Sequence, residues 1–384
     1  MQRLPQSMSA DNRPNRPAWV SIDLAQLRRN FALLNAERPP TVRLLSIVKD
    51  EAYGHGALTV ARIALEAGVA MLGVITLDEA IKLRDGGIHA PILVLGERSP
   101  EELPWCVDHD LACCVNDAAT ARALAGVARR RGKPARVHVK IDTGLSRYGV
   151  RWTEALPLVE LILRSEPLVL EGLFSHFAMS DELDKSFALL QLARFQEVLA
   201  QLESAGVRLP WRHLCNSGGY LDLPQAHFDL VRTGILPLGV YPSAVCRRVP
   251  GIEPVMTVKA RVAALRRLEP GATVGYGMHY RAADERHIAV LPLGYADGFP
   301  RVRNMGHVLI RGQQAPVVGG VAMDAVIVDV TGIPGVQCWD EAVVMGRQGA
   351  EEITAHDVAR WKGTVSYEVL AGWRARLPRL PGPV

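Results

Sequence analysis

The chain has 384 residues, of which 48% are hydrophobic and 22% are charged, and its formal net charge is +4. This length favours two domains, and the composition is typical of a folded globular protein. The small net charge, with no basic clusters interleaved with aromatic residues, argues against a nucleic-acid partner, and no apolar run is long enough to span a membrane.

The first residues, 1–17, are polar and proline-rich and are predicted to form a flexible tail. They contain no apolar segment of the kind found in secretory signal peptides, so we expect a cytoplasmic protein. The six cysteines show neither a C-x-x-C pair nor the density of a disulfide scaffold, which fits reduced thiols in that compartment. No metal site is predicted.

Residues 18–245 alternate short apolar runs with segments of helical periodicity. Eight strand–helix units predict an α/β fold, an N-terminal (β/α)8 barrel of the TIM type. A doubly wound open sheet is the structural alternative, but the first strand lacks the G-x-G-x-x-G pattern of dinucleotide-binding folds. The candidate strands are Arg43–Val48, Ala70–Ile75, Pro91–Leu95, Leu111–Val115, Arg136–Ile141, Leu168–Phe174, Trp211–Cys215 and Phe228–Arg232.

Residues 246–384 have a different sequence pattern, in which runs of β-branched residues are separated by Gly, Pro and Asp. This pattern predicts a mostly β C-terminal domain. A helical pattern returns only at Thr364–Arg376. The candidate strands are Met256–Leu265, His287–Leu293, His307–Ile310, Ala315–Val318, Ala325–Val330 and Ala342–Met345.

Polar side chains follow several predicted barrel strands. Lys49 ends the first strand, and Arg147, His176, Ser217 and Arg232 follow or end the fifth to eighth. Active sites of β/α barrels lie where the strands end, so we expect these residues on one rim. The lysine matters most, because burial lowers the pKa of an amine and frees it to attack a carbonyl carbon. For any one of them, an exposed or structural role is the simpler alternative.

The segment Lys49–Gly56, Lys-Asp-Glu-Ala-Tyr-Gly-His-Gly, closely resembles the cofactor-attachment motif of the alanine racemase family. Other motifs of that family follow in order, and the resemblance extends from about Trp19 to Arg379. They are Lys140–Gly149, Ser175–Ala178, Asn216–Gly219, Arg232–Ile235, Val274–Gly277, Gly294–Arg301, Met323–Asp324 and Tyr367–Glu368.

The resemblance implies pyridoxal 5′-phosphate as the cofactor and alanine as the substrate, interconverted between its L and D forms. It implies that Arg232 faces the pyridine nitrogen and that His176 lies beside the ring. A phosphate needs donors such as hydroxyl and backbone N–H groups, which this motif set offers. The residues implied for the cofactor are Lys49, Tyr53, His176, Ser217, Arg232, Gly234, Ile235 and Tyr367.

Racemisation needs a proton to leave one face of the substrate and to return on the other, which two bases can achieve. The resemblance implies Lys49 and Tyr276 as these bases. Since Tyr276 lies in the second domain, it further implies a homodimer with shared active sites. Arg147 and the backbone of Met323 would bind the substrate carboxylate, and Lys140 matches a position that is carbamylated in many family members.

Asp50 and Glu51 depart from the family pattern, so the reaction type is better determined than the specificity for alanine. A broader-specificity racemase is therefore an alternative, as is a fold-type III decarboxylase, although Cys338-Trp339-Asp340 matches the decarboxylase cysteine poorly. A protein that only stores the cofactor would not need a second domain. The sequence leaves open whether D-alanine is made for peptidoglycan or degraded.

Overall fold

The computed structural model describes residues 16–382, which form two compact units. One unit comprises residues 28–252. The other comprises residues 253–382 together with the N-terminal segment that contains strand β1 (Ala18–Ile22). The predicted tail, residues 1–17, lies almost entirely outside the described residues. No helix between residues 16 and 382 is long and apolar enough to cross a membrane.

The first unit is a nearly closed barrel of parallel strands with helices between them, which confirms the predicted barrel. Its strands are β2 (Arg43–Ile47), β3 (Met71–Val74), β4 (Ile92–Val94), β5 (Ala112–Val115), β6 (Ala135–Asp142), β7 (Val150–Arg151), β8 (Leu168–Phe174), β9 (Trp211–His213) and β10 (Leu230–Thr233). Eight of them are paired in the order β10-β2-β3-β4-β5-β6-β8-β9, and β7 pairs with β6. Backbone bonds from Asp229 to Arg212 (3.1 Å) and from Arg232 to Cys215 (3.0 Å) bring the two ends of this series together.

The helices of this unit lie between its strands, except α1, which leads from β1 of the other unit into β2. They are α1 (Leu24–Glu37), α2 (Lys49–Gly54), α3 (Ala57–Glu66), α4 (Leu77–Asp85), α5 (Leu103–Asp108), α6 (Ala118–Arg131), α7 (Ala155–Leu163), α8 (Ser186–Ser204) and α9 (Ser217–Asp222). Local sequence explains several ends. Helix α6 is capped at its N-terminus by the Asp117 side chain, which accepts the Thr120 N–H group. It ends at Gly132, which adopts the left-handed conformation.

The second unit is mostly β, as predicted. Its remaining elements are β11 (Met256–Arg261), β12 (Ala264–Leu268), β13 (Thr273–Val274), β14 (Tyr280–Arg281), β15 (Arg286–Leu291), β16 (His307–Ile310), β17 (Gln313–Pro316), β18 (Val326–Asp329), β19 (Glu341–Gln348), β20 (Glu351–Ile353), α10 (Ala355–Lys362), α11 (Ser366–Gly372) and β21 (Arg379–Pro381). One sheet has the order β17-β16-β19-β11-β1-β21, and β12, β15 and β18 form another.

Several elements of this unit were not predicted, namely α10, β13, β14, β20 and β21. Two further differences concern its larger sheets. Strand β1 has no counterpart among the predicted strands; it pairs antiparallel with β11, with Ala18 opposite Ala260. The predicted single strand Met256–Leu265 is divided between β11 and β12, because the chain passes from one sheet to the other between these strands. The N–H group of Val262 donates to Asp340 and that of Ala263 donates to Val290, which lies in the other sheet.

Candidate active site

Lys49 lies two residues after the end of β2, at the carboxyl end of the barrel strands, as predicted. The next four residues, Asp50–Tyr53, have φ values of 51°, 53°, 51° and 52°, so α2 is a left-handed turn. For residues that carry a Cβ atom, this conformation costs about 1–2 kcal/mol per residue. Strained backbone of this kind is concentrated at functional sites.

Burial is the main cause that lowers the pKa of Lys49, and the charge of Arg147 adds to it. The charges of Glu79 and, to a smaller extent, Asp50 act in the opposite direction but do not reverse the shift. The Glu51 carboxylate instead accepts a hydrogen bond at the start of α3, from the Ala57 N–H group at 3.1 Å. Among the described residues no carboxylate forms an ion pair with Lys49. The fraction of the neutral amine, which is the nucleophilic form, is therefore larger than for an exposed lysine.

Three of the residues predicted to hold a phosphate converge at one corner of the barrel. Ser217 begins α9, and the Asn216 side chain caps this helix by accepting the Gly219 N–H group at 2.9 Å. The Ser217 hydroxyl accepts the Gly234 N–H group at 3.2 Å. A Cβ atom on Gly234 would lie only 2.6 Å from Tyr53 Oη, so this close approach requires glycine.

This corner has the chemistry of an anion site. Burial is the main cause that raises the pKa of Tyr53, so its phenol stays protonated and can donate. Thr233 Oγ1 is buried and has no hydrogen-bond partner between residues 16 and 382. Ile235, also buried, extends the turn after β10. Hydroxyl donors beside a helix N-terminus and a glycine turn fit a phosphate group.

Arg232 is buried, and its terminal nitrogens bond only to protein groups. Nη1 lies 3.0 Å from both Nδ1 and the carbonyl oxygen of His213. Nη2 lies 3.1 Å from Nδ1 of His176 and donates to the carbonyls of Ser175 (2.7 Å) and Leu214 (3.0 Å). Within the described part of the chain, Nε–H is the N–H group of this guanidinium without an acceptor. Burial lowers the pKa of Arg232 to about 10, so it remains a cation at neutral pH.

The contacts of Arg232 determine the tautomers of its histidine neighbours. A guanidinium can only donate, so Nδ1 of His213 must accept and its proton must lie on Nε2. That Nε2 lies 2.9 Å from Nδ1 of His138, which must accept in turn. The Nε2–H group of His138 then faces a Glu171 carboxylate oxygen at 3.8 Å. Burial lowers the pKa of both imidazoles, so both are neutral. This chain of side chains was not predicted from the sequence.

His176 lies where the cations of the barrel unit meet. Burial lowers its pKa most, and the charges of Arg232, Arg147, Lys140 and Lys49 all act in the same direction. The imidazole is therefore neutral, with these four basic side chains around it. The structure thus brings together the barrel residues that the sequence analysis placed on one rim.

Gln191 is a second residue that the sequence analysis missed. It is fully buried in α8, where its amide donates to the His176 carbonyl (3.0 Å) and accepts the Ala178 N–H group (2.8 Å). It therefore holds the segment that carries His176. The signal in the sequence is a polar residue on the apolar stripe of this helix, next to Leu192 and one turn before Phe195.

Arg147 lies on a tight loop between β6 and β7. The Asp142 carboxylate accepts the N–H groups of Gly144 (2.9 Å) and Ser146 (3.0 Å), which shapes the loop. Gly149 closes it with φ 120°, where a Cβ atom would lie 2.7 Å from the Asp142 nitrogen. The Arg147 side chain is exposed and therefore accessible to a ligand.

The other three predicted site residues lie in the β unit. Tyr276 follows β13, between Gly275 (φ 71°) and Gly277 (φ 75°), and is 81% exposed. The Met323 carbonyl accepts the Ala296 N–H group at 3.0 Å, while the N–H group of Met323 has no acceptor among residues 16–382. The last of the three, Tyr367, lies in the first turn of α11.

Comparison with known proteins assigns a family model to each unit. Residues 22–242 match the model described as "Alanine racemase, N-terminal domain", and residues 255–381 match "Alanine racemase, C-terminal domain". The chain is 42% identical to "Alanine racemase" of Symbiobacterium thermophilum, over 96% of this chain and 97% of that protein. It is 39% identical to "Alanine racemase" of Nostoc sp., over 94% and 95%.

Solved structures show the same fold. "Alanine Racemase from Streptomyces coelicolor A3(2)" superposes with a TM-score of 0.91 at 38% identity, covering 97% of this chain and 99% of that one. "Histidine Racemase from Leuconostoc mesenteroides subsp. sake" superposes with a TM-score of 0.88 at 26% identity, covering 97% and 99%. The same fold therefore occurs in racemases that are named for different amino acids.

Proposed function

The chain belongs to the alanine racemase family and is an isomerase that interconverts L-alanine and D-alanine; we propose that it does so with pyridoxal 5′-phosphate attached covalently to Lys49. The observation that carries this proposal is the position of Lys49. It lies just past the end of a barrel strand and just before a strained left-handed turn, and burial lowers its pKa. Lysines with these properties form covalent bonds with carbonyl groups.

The residues of the barrel unit fit the cofactor. The hydroxyl groups of Ser217 and Tyr53 and the backbone N–H group of Ile235 offer the donors that its phosphate needs, Gly234 leaves the room for Tyr53, and Tyr367 is a further candidate. The Nε–H group of Arg232 is available to the pyridine nitrogen, and a guanidinium would not transfer its proton to that nitrogen. When bound, the cofactor withdraws electrons from the substrate and acidifies its α-hydrogen. His176 would lie beside the ring.

Arg147 and the N–H group of Met323 are proposed to bind the substrate carboxylate, the first as a cation and the second as a neutral donor. Lys49 is proposed to accept the α-proton on one face as the amine, or to return it there as the ammonium. Tyr276 is proposed to do so on the opposite face. Two bases avoid any rotation of the substrate during the reaction.

Tyr276 is proposed to serve the site of a second subunit in a homodimer. Tyr276 is 81% exposed, and Met278, two residues further along the chain, is 68% exposed. Large apolar side chains clustered on a surface are typical of interfaces between proteins. Mixing Lys49→Ala with Tyr276→Phe, each inactive alone, should restore activity through hybrid dimers that hold one intact site. No recovery, with subunit exchange verified, would count against shared sites.

Two variants test the assignment of the bases. Lys49→Ala should lose both activity and the visible absorbance of the attached cofactor. Tyr276→Phe should keep the cofactor and lose racemisation by a factor of about 10² to 10⁴. In D₂O this variant should still exchange the α-proton of D-alanine, whereas the α-proton of L-alanine should hardly exchange. The reason is that Lys49 is the base that remains. The control, Tyr280→Phe, changes another tyrosine of the same unit. It should retain racemisation and the α-proton exchange of both enantiomers. Equal residual exchange from both enantiomers would contradict the two-base mechanism.

A broader-specificity amino-acid racemase is the second candidate. The histidine racemase fold match shows that this architecture does not by itself fix the substrate side chain. Incubating the protein in D₂O with a panel of L-amino acids, and measuring α-deuteration of each, separates the two candidates. Alanine should be deuterated fastest.

A further inference from the structure

The left-handed turn after Lys49 needs contacts that hold it in place. Glu51, Ala52 and Tyr53 are residue types that rarely adopt this conformation, and no glycine occurs among the four left-handed residues. The Ala52 N–H group donates to Val48 at 3.0 Å, and the Gly56 N–H group donates to Glu51 at 2.7 Å. Both bonds lie within the segment, so they do not orient it against the barrel.

A hydrogen bond reaches the turn from helix α4. The Asp50 N–H group donates to Glu79 Oε1 at 2.6 Å. The other carboxylate oxygen, Oε2, accepts the N–H groups of Ile75 (2.8 Å) and Thr76 (3.1 Å), which follow β3. Strands β2 and β3 are adjacent and parallel, with Ile47 opposite Gly73. The Glu79 carboxylate therefore joins the loops that follow two neighbouring strands.

We infer that Glu79 is a positioning residue for Lys49. Its carboxylate anchors the first left-handed residue and so fixes the direction in which the preceding lysine side chain projects. Hydrogen bonds to an ionised carboxylate are stronger than those between neutral groups, which suits a strained segment. The inference rests on the proposed attachment of the cofactor to Lys49, and it adds a residue outside the motifs that suggested this attachment.

The simpler role for Glu79 is to cap helix α4. Its N–H group donates to Thr76 Oγ1 at 3.3 Å, and its carboxylate accepts the Thr76 N–H group at 3.1 Å. The cap uses Oε2 and the turn uses Oε1, so the two roles can be separated. Thr76→Ala weakens the cap but leaves Oε1 on Asp50. Glu79→Ala removes both.

Hydrogen–deuterium exchange of the full chain, freed of cofactor, measures the turn directly. In Glu79→Ala we expect the amides of residues 50–56 to exchange about tenfold faster than in the wild type, because a charge-assisted bond is lost. In Thr76→Ala they should stay within about twofold of the wild type. Both variants should unfold at a lower temperature, since both damage the helix cap.

A second measurement follows Lys49 itself. Pyridoxal phosphate is added, samples are reduced with borohydride at intervals, and the modified Lys49 peptide is quantified by mass spectrometry. The trapping rate should fall about tenfold in Glu79→Ala and stay unchanged in Thr76→Ala. Equal exchange of residues 50–56 in the two variants, or faster exchange with an unaltered trapping rate, would overturn the inference. If the wild type traps the cofactor at another lysine, the proposed function fails, while the exchange data still decide whether Glu79 holds the turn.

Discussion

Lys140 allows a quantitative test of the electrostatics of the barrel rim. Its side chain is buried, and its Nζ lies 5.3 Å from the ring centroid of Tyr148 and 5.6 Å from that of Phe174. Burial is the largest cause that lowers the pKa of Lys140, from 10.5 to about 8, and the charges of Arg147 and Arg232 also lower it. The amine is therefore far more often neutral than that of an exposed lysine.

The size of the effect follows from these two pKa values. At pH 7 roughly one Lys140 amine in ten is neutral, against roughly one in three thousand for a lysine with the ordinary pKa. A carbamate forms when the neutral nitrogen bonds to the carbon of CO₂ and releases one proton. At a fixed bicarbonate concentration the amount of carbamate is proportional to the neutral fraction. It should therefore rise roughly tenfold from pH 6 to pH 7 and level off above about pH 8.

The same pKa difference affects stability. The unfolded chain keeps the Lys140 proton up to the ordinary pKa, while the folded chain releases it at about 8. Between these values the unfolded state binds more protons, so this lysine makes the free energy of unfolding rise with pH in that window. Below pH 8 the buried charge destabilises the folded state.

Carbon-13 NMR with labelled bicarbonate measures the carbamate between pH 6 and 10. The signal should disappear in Lys140→Met and persist in Lys133→Met, which changes an exposed lysine nearby in the chain. A carbamate would accept hydrogen bonds from Arg147, so Lys140→Met should raise the KM for alanine more than it lowers kcat. A signal that survives in Lys140→Met, or that still rises between pH 9 and 10, would refute the argument.

Two further predictions concern the cofactor corner and the histidine pair. Gly234→Ala puts a Cβ atom 2.6 Å from Tyr53 Oη and should weaken pyridoxal phosphate binding about tenfold to a hundredfold in a fluorescence titration, whereas Gly332→Ala, at an open position, should not. Nitrogen-15 NMR of protein labelled at histidine should show His213 and His138 both protonated at Nε2 and not at Nδ1; a protonated Nδ1 in either would contradict the direction of hydrogen bonding from Arg232.

Much of the fold could be predicted because it depends on local patterns. Each of the eight predicted barrel strands overlaps an observed one, and Leu168–Phe174 coincides with its strand. Alternation of apolar runs and helical periodicity is a property of neighbouring residues, so it can be read without the tertiary structure. Lys49, Ser217 and Arg232 were identified for the same reason, since each lies in a short motif at the end of a strand.

The remaining features depend on contacts between distant parts of the chain. Strand β1 belongs to the β unit because it pairs with β11, more than two hundred residues later. The bond between His138 and His213 joins residues 75 positions apart, and the Glu79 carboxylate reaches Asp50 across 29. A motif specifies a residue type and its neighbours but not the acceptor of its hydrogen bonds. The sequence by itself thus determined the barrel, the β domain and the residues on the rim. Only the tertiary structure decided which buried groups orient them, because these partners meet only when the chain is folded.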